Sequence, residues 1–212
     1  MIKNDYSGKF IVIEGLDGSG KSAQVDLIIN FLKNPPAGGG KEVVVTKEPT
    51  IESEAGRKIK QALKKEIVIE PLDLQKLYVQ DRKEHLEKKV IPALKDGKFV
   101  VSSRYAFSTF AYGHSDGLDV DLLVQMNNNF LLPDLTLIID VSPESCIKRI
   151  EGRGEPKELF EKKEKLAKVN EIYKKIPNMF DNVIMINGER PIPEVFEDIK
   201  KVVLSQLFPE KG

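Results

Sequence analysis

The sequence predicts an α/β domain with a doubly wound, five-stranded parallel sheet flanked by helices. Five short runs of mainly aliphatic residues alternate with longer amphipathic stretches along the chain, which is the order of successive strand and helix units. The strands are apolar on both faces, as they are in a sheet that helices cover on both sides. A chain of 212 residues can bury one sizeable core, so we expect a single domain over 1–212.

The elements follow one another with recognisable start and stop signals. Strands are predicted at 10–13, 42–46, 99–101, 135–141 and 182–187. Helices are predicted at 23–32, 53–63, 71–94, 121–131, 143–152, 157–175 and 193–207. Ser142 is expected to cap the fifth helix, and Pro92 to kink the last turn of the third. The polar, glycine-bearing stretch at about 151–156 is expected to form a short lid.

Composition excludes several classes of protein. Lysine plus arginine equals aspartate plus glutamate at 33 each, so no overall field attracts nucleic acid or an anionic membrane. The single cysteine, Cys146, permits no internal disulfide and is expected to fill core space. No apolar stretch is long enough to cross a bilayer, and the N-terminal residues lack a signal-peptide core, so we expect a cytoplasmic protein. His85 and His114 offer no metal-ligand pairing and are expected to be ordinary surface or helix residues.

The most specific motif lies between the first strand and the first helix and has the form G-x-x-x-x-G-K-S/T. It predicts a phosphate-binding loop (the P-loop), formed by Gly15, Leu16, Asp17, Gly18, Ser19, Gly20, Lys21 and Ser22. Glycines let several backbone N–H groups point into one concavity, and the helix adds its positive N-terminal end. Lys21 can reach the β- and γ-phosphates, and the Ser22 hydroxyl can bind Mg²⁺. A chance match in a chain of this length occurs roughly 1% of the time, so we expect the protein to bind a nucleoside triphosphate.

Chain length, an absent motif and the residues at the other strand ends narrow the class of P-loop protein. A regulatory GTPase would need a guanine-reading N-K-x-D segment, which is absent, and a large ATPase motor would need more chain. The carboxyl ends of four predicted strands carry the P-loop, Lys47-Glu48-Pro49, Ser103-Arg104-Tyr105 and Asp140. These segments are expected to meet at one edge of the sheet. Arginines and aromatic residues among them suit a second substrate that is both anionic and aromatic.

Five segments together resemble thymidylate kinases, which phosphorylate dTMP with ATP. They lie at 15–18, 46–49 (T-K-E-P, where the family usually has T-R-E-P), 77–82, 103–112 and 132–137. The resemblance covers nearly the whole chain and implies a nucleotide kinase fold, ATP and Mg²⁺ as cofactors, dTMP as acceptor and a homodimer. It also implies in-line transfer between bound nucleotides, with catalysis by positioning and charge neutralisation.

The resemblance assigns acceptor binding to Asp17, Glu48, Tyr78, Arg82, Arg104, Tyr105, Thr109 and Tyr112. Tyr78 would stack on the thymine, Arg82 and Thr109 would face the base, and Arg104 would hold the monophosphate. Tyr112 would lie under the sugar and crowd out a ribose 2′-hydroxyl, while Asp17 would orient the sugar and the arginines. Taken alone, Tyr78 would be a core or half-exposed helix aromatic, and Arg82 a surface ion pair with Asp81 or a helix neighbour.

Catalytic roles are predicted for Lys21, Asp17 and a lid arginine. One branch of the family carries a catalytic arginine in the P-loop, where this chain has Gly18 or Ser19. The other branch supplies it from the lid. Our first candidate for this arginine is Arg153 and our second is Arg149.

Three departures from the family pattern leave alternatives open. Ser103 replaces the usual aspartate beside the metal, so Glu48 or Asp17 would have to act through water as the second Mg²⁺ anchor. Gly113 stands where glutamine is common, and Lys47 where arginine is common. The alternatives are a kinase for another nucleoside monophosphate such as dUMP, a deoxynucleoside kinase, or a non-catalytic nucleotide-binding module.

Overall fold

A computed structural model describes residues 1–35, 39–152 and 159–208, without the side chains of 159–162. It contains a five-stranded, entirely parallel sheet in the order β2-β3-β1-β4-β5. The strands are β1 (Lys9–Gly15), β2 (Val43–Lys47), β3 (Phe99–Ser103), β4 (Leu135–Asp140) and β5 (Val183–Asn187). The predicted fold class is confirmed, and all five carboxyl ends lie at the same edge of the sheet.

Helices connect successive strands. They are α1 (Lys21–Lys33), α2 (Glu54–Leu63), α3 (Pro71–His85), α4 (Ile91–Lys95), α5 (Ala106–Ser115), α6 (Val120–Asn127), α7 (Pro143–Glu151), α8 (Leu159–Lys175) and α9 (Ile192–Leu207). A π-helical turn over Leu86–Val90 joins α3 to α4, and a short 3₁₀ turn over Ile176–Asn178 follows α8. Among the described residues, no helix is long and apolar enough to cross a membrane.

The long helical region around Pro92 is continuous but changes its hydrogen bonding. The N–H of Ile91 donates to the carbonyl of Leu86, five residues back, just before Pro92. Because proline has no N–H to donate, the wider turn lies next to the place where a normal helical bond is missing. The predicted disturbance therefore lies one turn earlier than expected.

Two helices differ from the prediction. The helix expected at 121–131 ends at Asn127, where three consecutive asparagines begin, because asparagine side chains compete with helical backbone bonds. Helix α5 was not predicted, since its aromatic residues, Thr109 and Gly113 have modest helix propensity. Burial stabilises it: Phe107, Phe110 and Ala111 are fully buried, at about 1.5–3 kcal/mol for a large apolar side chain.

The core is centred on β1, whose apolar residues Phe10 to Ile13 are fully buried between the two helical layers. Cys146 is also buried, and burial raises the pKa of its thiol to about 11, so the predicted packing role is confirmed. Ser142 caps α7 as predicted, accepting a bond from the Ser145 N–H at 3.2 Å. These contacts fix β1 and α7 on either side of the P-loop.

Candidate active site

The P-loop turns sharply between β1 and α1. Gly15, Gly18 and Gly20 have φ values of 141°, 86° and 92°, a region that side-chain-bearing residues rarely adopt. Gly18 also lies against α7, where an added Cβ would stand 2.6 Å from the Cys146 carbonyl oxygen. A side chain at position 18 is therefore excluded by packing, which explains in physical terms why an arginine is absent there.

Lys21, at the start of α1, points back into the P-loop. Its Nζ donates to the carbonyls of Gly15 and Leu16 at 3.0 and 2.7 Å, and no carboxylate lies within ion-pair distance of it among the described side chains. Burial, assisted by the nearby Arg104 charge, lowers the pKa of Lys21 to about 7. The side chain is therefore a buried amine without a counterion, and an anion in the loop would raise its pKa.

The remaining P-loop groups fit a phosphate and its cation. The Ser19 hydroxyl is buried without a hydrogen-bond partner among the described residues, a state that costs about 1–3 kcal/mol and that a phosphate oxygen would relieve. Ser22 lies in the first turn of α1 and its side chain is exposed, so its hydroxyl is available to a metal-bound nucleotide. Leu16 is buried and anchors the loop to the core.

A second concave site, the α3–α5 cavity, opens beside the P-loop and has a volume of about 410 Å³. This volume falls in the range of small-molecule sites. Helices α3 and α5 form two of its sides, and Lys165 of α8 also lines it. All eight residues predicted to bind the acceptor line it: Asp17, Glu48, Tyr78, Arg82, Arg104, Tyr105, Thr109 and Tyr112. The structure thus brings the predicted set together, while the role of each residue stays a prediction.

Arg104 lies at the boundary between the P-loop and the α3–α5 cavity. Its backbone has φ 71°, a costly conformation that persists at functional sites when the surroundings fix it. The guanidinium donates to Asp17 Oδ1 at 2.5 Å, to Ser108 at 2.9 Å and to the hydroxyls of Tyr112 and Tyr173 at 3.2 and 3.4 Å. It is thereby held as a planar cation next to the P-loop, in a form suited to phosphate.

Arg82 is the buried cation of the cavity, with 1% of its surface exposed. It forms an ion pair with Glu48 at 2.8 Å, donates to Thr109 at 3.0 Å and to the Asn127 side chain, and packs over the Tyr105 ring. Removing one partner of such a buried pair typically costs about 3–5 kcal/mol. The position of this guanidinium is therefore tightly specified.

The expectation for Arg82 taken alone, a surface ion pair with Asp81, is wrong. Asp81 faces away from it and is buried, accepting bonds from the N–H and hydroxyl of Thr50 and from the Ser53 hydroxyl. Helical neighbours lie about 100° apart around the axis, so adjacent residues do not face each other. Tyr78 is half-buried at the cavity wall, and burial raises the pKa of its phenol above the usual range.

His85 is not the surface or simple helix residue that the sequence suggested. It is buried, with Nδ1 3.0 Å from Glu48 Oε1 and Nε2 2.6 Å from the Thr46 hydroxyl. Both Glu48 oxygens are thus engaged, one by His85 and the other by Arg82. This arrangement disfavours Glu48 as a metal anchor, and the Asp17 oxygens are likewise engaged, by Arg104 and the Tyr112 hydroxyl. No cluster of metal-ligating side chains occurs in the described parts of the chain.

Glu14 is a positioning residue that the sequence analysis missed. It is fully buried, and it accepts bonds from the Tyr105 and Ser108 N–H groups at 2.8 and 3.1 Å and from the Ser108 and Tyr173 hydroxyls at 2.6 and 2.9 Å. Burial raises the pKa of its carboxyl despite these bonds and the nearby Arg104 charge. By fixing the start of α5, Glu14 fixes Arg104. In the sequence, the signal for such a role was the charge of Glu14 directly after the apolar run Phe10 to Ile13.

The lid arginines are only partly described. Arg149 on α7 donates to the carbonyls of Ser19 and Gly188 at 3.4 and 3.2 Å, so its guanidinium contacts the P-loop backbone. Arg153 and most of the predicted lid at 151–156 lie outside the described residues. Which of the two arginines acts stays a prediction.

Comparison with known proteins agrees with this arrangement. The family model for thymidylate kinase matches residues 13–199. A probable thymidylate kinase of Pyrococcus horikoshii is 36% identical over 206 residues, covering 95% of this chain and 98% of the relative. A thymidylate kinase of Desulfotalea psychrophila is 36% identical over 193 residues, covering 91% and 92%, and that of Caldicellulosiruptor saccharolyticus is 36% identical over 206 residues, covering 92% and 96%. The chain therefore belongs to the thymidylate kinase family.

Proposed function

We propose that this chain transfers the γ-phosphoryl group of ATP to dTMP, giving ADP and dTDP. The observation that carries the proposal is the contact between Arg104 and Asp17, which joins the P-loop to the α3–α5 cavity. A donor triphosphate in the P-loop and an acceptor monophosphate on Arg104 would then meet at this contact. The names of the relatives support the choice of acceptor.

The chain's own groups account for the chemistry of transfer. Lys21 and the P-loop N–H groups would hold the β- and γ-phosphates, and Arg104 would hold the acceptor phosphate in line with them. That phosphate is already an anionic nucleophile at neutral pH, so no strong general base is required. Ser22, with Asp17 through water, would hold Mg²⁺, which would help neutralise the charge of the phosphates. Arg149 or Arg153 would neutralise charge on the transferred group.

The wall of the cavity accounts for the acceptor base and sugar. Tyr78 would stack on the pyrimidine, a contact worth about 0.5–1.5 kcal/mol beyond burial. Arg82, a donor-only cation held by Glu48, would bind a carbonyl oxygen of the base, and Thr109 lies beside it. Tyr112, under Arg104, would occupy the space that a ribose 2′-hydroxyl needs.

The direct test is ADP release in a Mg-ATP assay across dTMP, dUMP, dCMP, dGMP, dAMP and thymidine. We expect turnover to be highest with dTMP and to be lost in Lys21→Ala. Preference for another monophosphate would keep the kinase and reassign the base contacts, whereas turnover of thymidine alone would indicate a nucleoside kinase. Nucleotide binding without any turnover would contradict the proposal and favour the binding-module alternative raised by Ser103.

A homodimer, a cytoplasmic location and the lack of a nucleic-acid partner are further predictions. The balanced charge, 33 basic against 33 acidic residues, supports the absence of non-specific nucleic-acid binding. Light scattering of the purified protein tests the dimer, with a mass near twice 23.9 kDa expected. A monomer at all concentrations would contradict it.

A further inference from the structure

Gln75 is a buried polar residue of the α3–α5 cavity to which the proposed mechanism gives no task. Only 2% of its surface is exposed, it lines the cavity, and its Oε1 has no hydrogen-bond partner among the described residues. Buried amides are normally paired, and leaving one unpaired destabilises the folded state. An unpaired group that lines a cavity points to a ligand that completes it.

The position of Gln75 along α3 places it with the predicted base contacts. Gln75, Tyr78 and Arg82 are spaced i, i+3 and i+7, so they lie on one face of the helix, and all three line the cavity. A base stacked on Tyr78, with a carbonyl towards Arg82, would have its edge on this same face. The amide of Gln75 is therefore on the wall that the base edge meets.

Gly113 on α5 allows the Gln75 side chain of α3 to pack close to it. An added Cβ at Gly113 would stand 3.3 Å from Gln75 Cδ and 2.9 Å from both terminal methyl carbons of Leu123. Any larger residue at 113 would force these two side chains to move. Because residue 113 is glycine, where the sequence departs from the common glutamine, the Gln75 and Leu123 side chains can pack against this part of α5.

The polar groups around Arg82 already have hydrogen-bond partners. The Glu48 oxygens accept from Arg82 and His85, and Asn127 Oδ1 and Thr109 Oγ1 accept from Arg82. A thymine or uracil carries an N3–H donor between two carbonyls, so its edge needs an acceptor. Among these described side chains, Gln75 Oε1 is the acceptor that has no partner.

We propose that Gln75 is a specificity-determining residue whose side-chain oxygen accepts the N3–H of the acceptor pyrimidine. The inference rests on the proposed function, because it requires the acceptor base to lie in the α3–α5 cavity.

The test is Gln75→Leu, with Gln80→Leu as the matched control because Gln80 lies on the same helix but is exposed. We expect the KM for dTMP to rise roughly tenfold in Gln75→Leu, with kcat at saturation changed less than about twofold, since a uniform binding contact is lost. Gln80→Leu should match the wild type. An unchanged KM in Gln75→Leu would overturn the inference.

A substrate change tests the same bond from the other side. In 3-methyl-dTMP the N3–H is replaced by N–CH3 while both carbonyls remain, so the wild type should use it at least roughly tenfold less well than dTMP. Gln75→Leu should treat the two acceptors alike, because the partner of N3–H is already gone. An equal penalty in both proteins would show that another group receives N3–H.

Thermal unfolding separates this role from a structural one. Removing an unpaired buried amide should leave the ligand-free Tm of Gln75→Leu no lower than that of the wild type, while the Tm gain on adding dTMP becomes smaller. A lower ligand-free Tm with an unchanged dTMP gain would overturn the inference. If the wild type releases no ADP with dTMP but binds it, the proposed function fails, and the Kd values for dTMP decide the role of Gln75 separately.

Discussion

The P-loop and the α3–α5 cavity are built in opposite ways. The P-loop is eight consecutive residues whose conformation follows from three glycines with positive φ and from the start of α1. The cavity draws its walls from residues between Asp17 and Lys165, on separate elements that only the fold brings together. A contiguous site can be recognised from sequence spacing, whereas an assembled site depends on which side chains meet.

The two regions also handle charge differently. The P-loop contains a buried amine, Lys21, whose hydrogen-bond partners among the described residues are carbonyl oxygens, so a bound anion would neutralise its charge. The cavity holds its cations in pairs, Arg82 with Glu48 and Arg104 with Asp17. Changes in the P-loop should therefore affect activity without harming the fold, and changes in the buried cavity pair should affect both.

The largest effect is expected for Lys21→Met. Loss of the amine should lower kcat by at least about 100-fold, as for other lost transition-state donors, while the protein remains folded at pH 7. ADP release and circular dichroism measure the two parts, and Lys33→Met at the exposed end of the same helix is the control. A variant that unfolds at pH 7 would contradict the contrast between the two regions.

Lys21 also gives the stability of the ligand-free protein a pH dependence. Its pKa is 10.5 in the unfolded chain and about 7 in the folded one, so between these values the unfolded chain binds more protons. The free energy of unfolding of the wild type should therefore rise with pH across this window relative to Lys21→Met. Urea unfolding at several pH values measures it, and a constant difference between the two proteins would contradict the assignment.

Glu48→Gln should have the next largest effect, on stability. It leaves Arg82 buried without its counterion, which we expect to cost about 3 kcal/mol of unfolding free energy. Glu52→Gln, which changes an exposed carboxylate on the same connection, should cost little. A Glu48→Gln protein as stable as the wild type would show that Arg82 does not depend on this pair.

Arg104→Lys should mainly weaken acceptor binding. Lysine keeps the charge but cannot reproduce the planar fork, so the KM for dTMP should rise about tenfold or more while the KM for ATP changes less than about twofold. Steady-state kinetics with each substrate varied in turn measures both. Equal increases in the two KM values would mean that Arg104 serves the donor site as well.

The smallest effect is expected for Arg149→Ala. Its contacts with the Ser19 and Gly188 carbonyls place it on the donor side, so the KM for ATP should rise roughly fivefold to tenfold and that for dTMP should not. Comparison with Arg153→Ala decides between the two lid arginines. If Arg149→Ala instead lowers kcat more than Arg153→Ala, the predicted order of the two is reversed.

The sequence predicted the five strands, the parallel sheet and the P-loop, because those features depend on local patterns of apolar residues and glycine. It did not predict α5, whose residues favour a helix only once Phe107 and Phe110 are buried. It assigned Arg82 to the cavity through the family resemblance but could not foresee the ion pair with Glu48. His85 and Glu14 were missed or misjudged because their partners lie 37 or more residues away in the chain.

A crystal structure of the protein with dTMP and Mg-ADP would test the central claim most directly. The account predicts ADP phosphates in the P-loop on Lys21, the dTMP phosphate on Arg104 and the thymine against Tyr78 in the α3–α5 cavity. A dTMP molecule bound elsewhere, with the cavity between Arg82 and Arg104 empty, would contradict it.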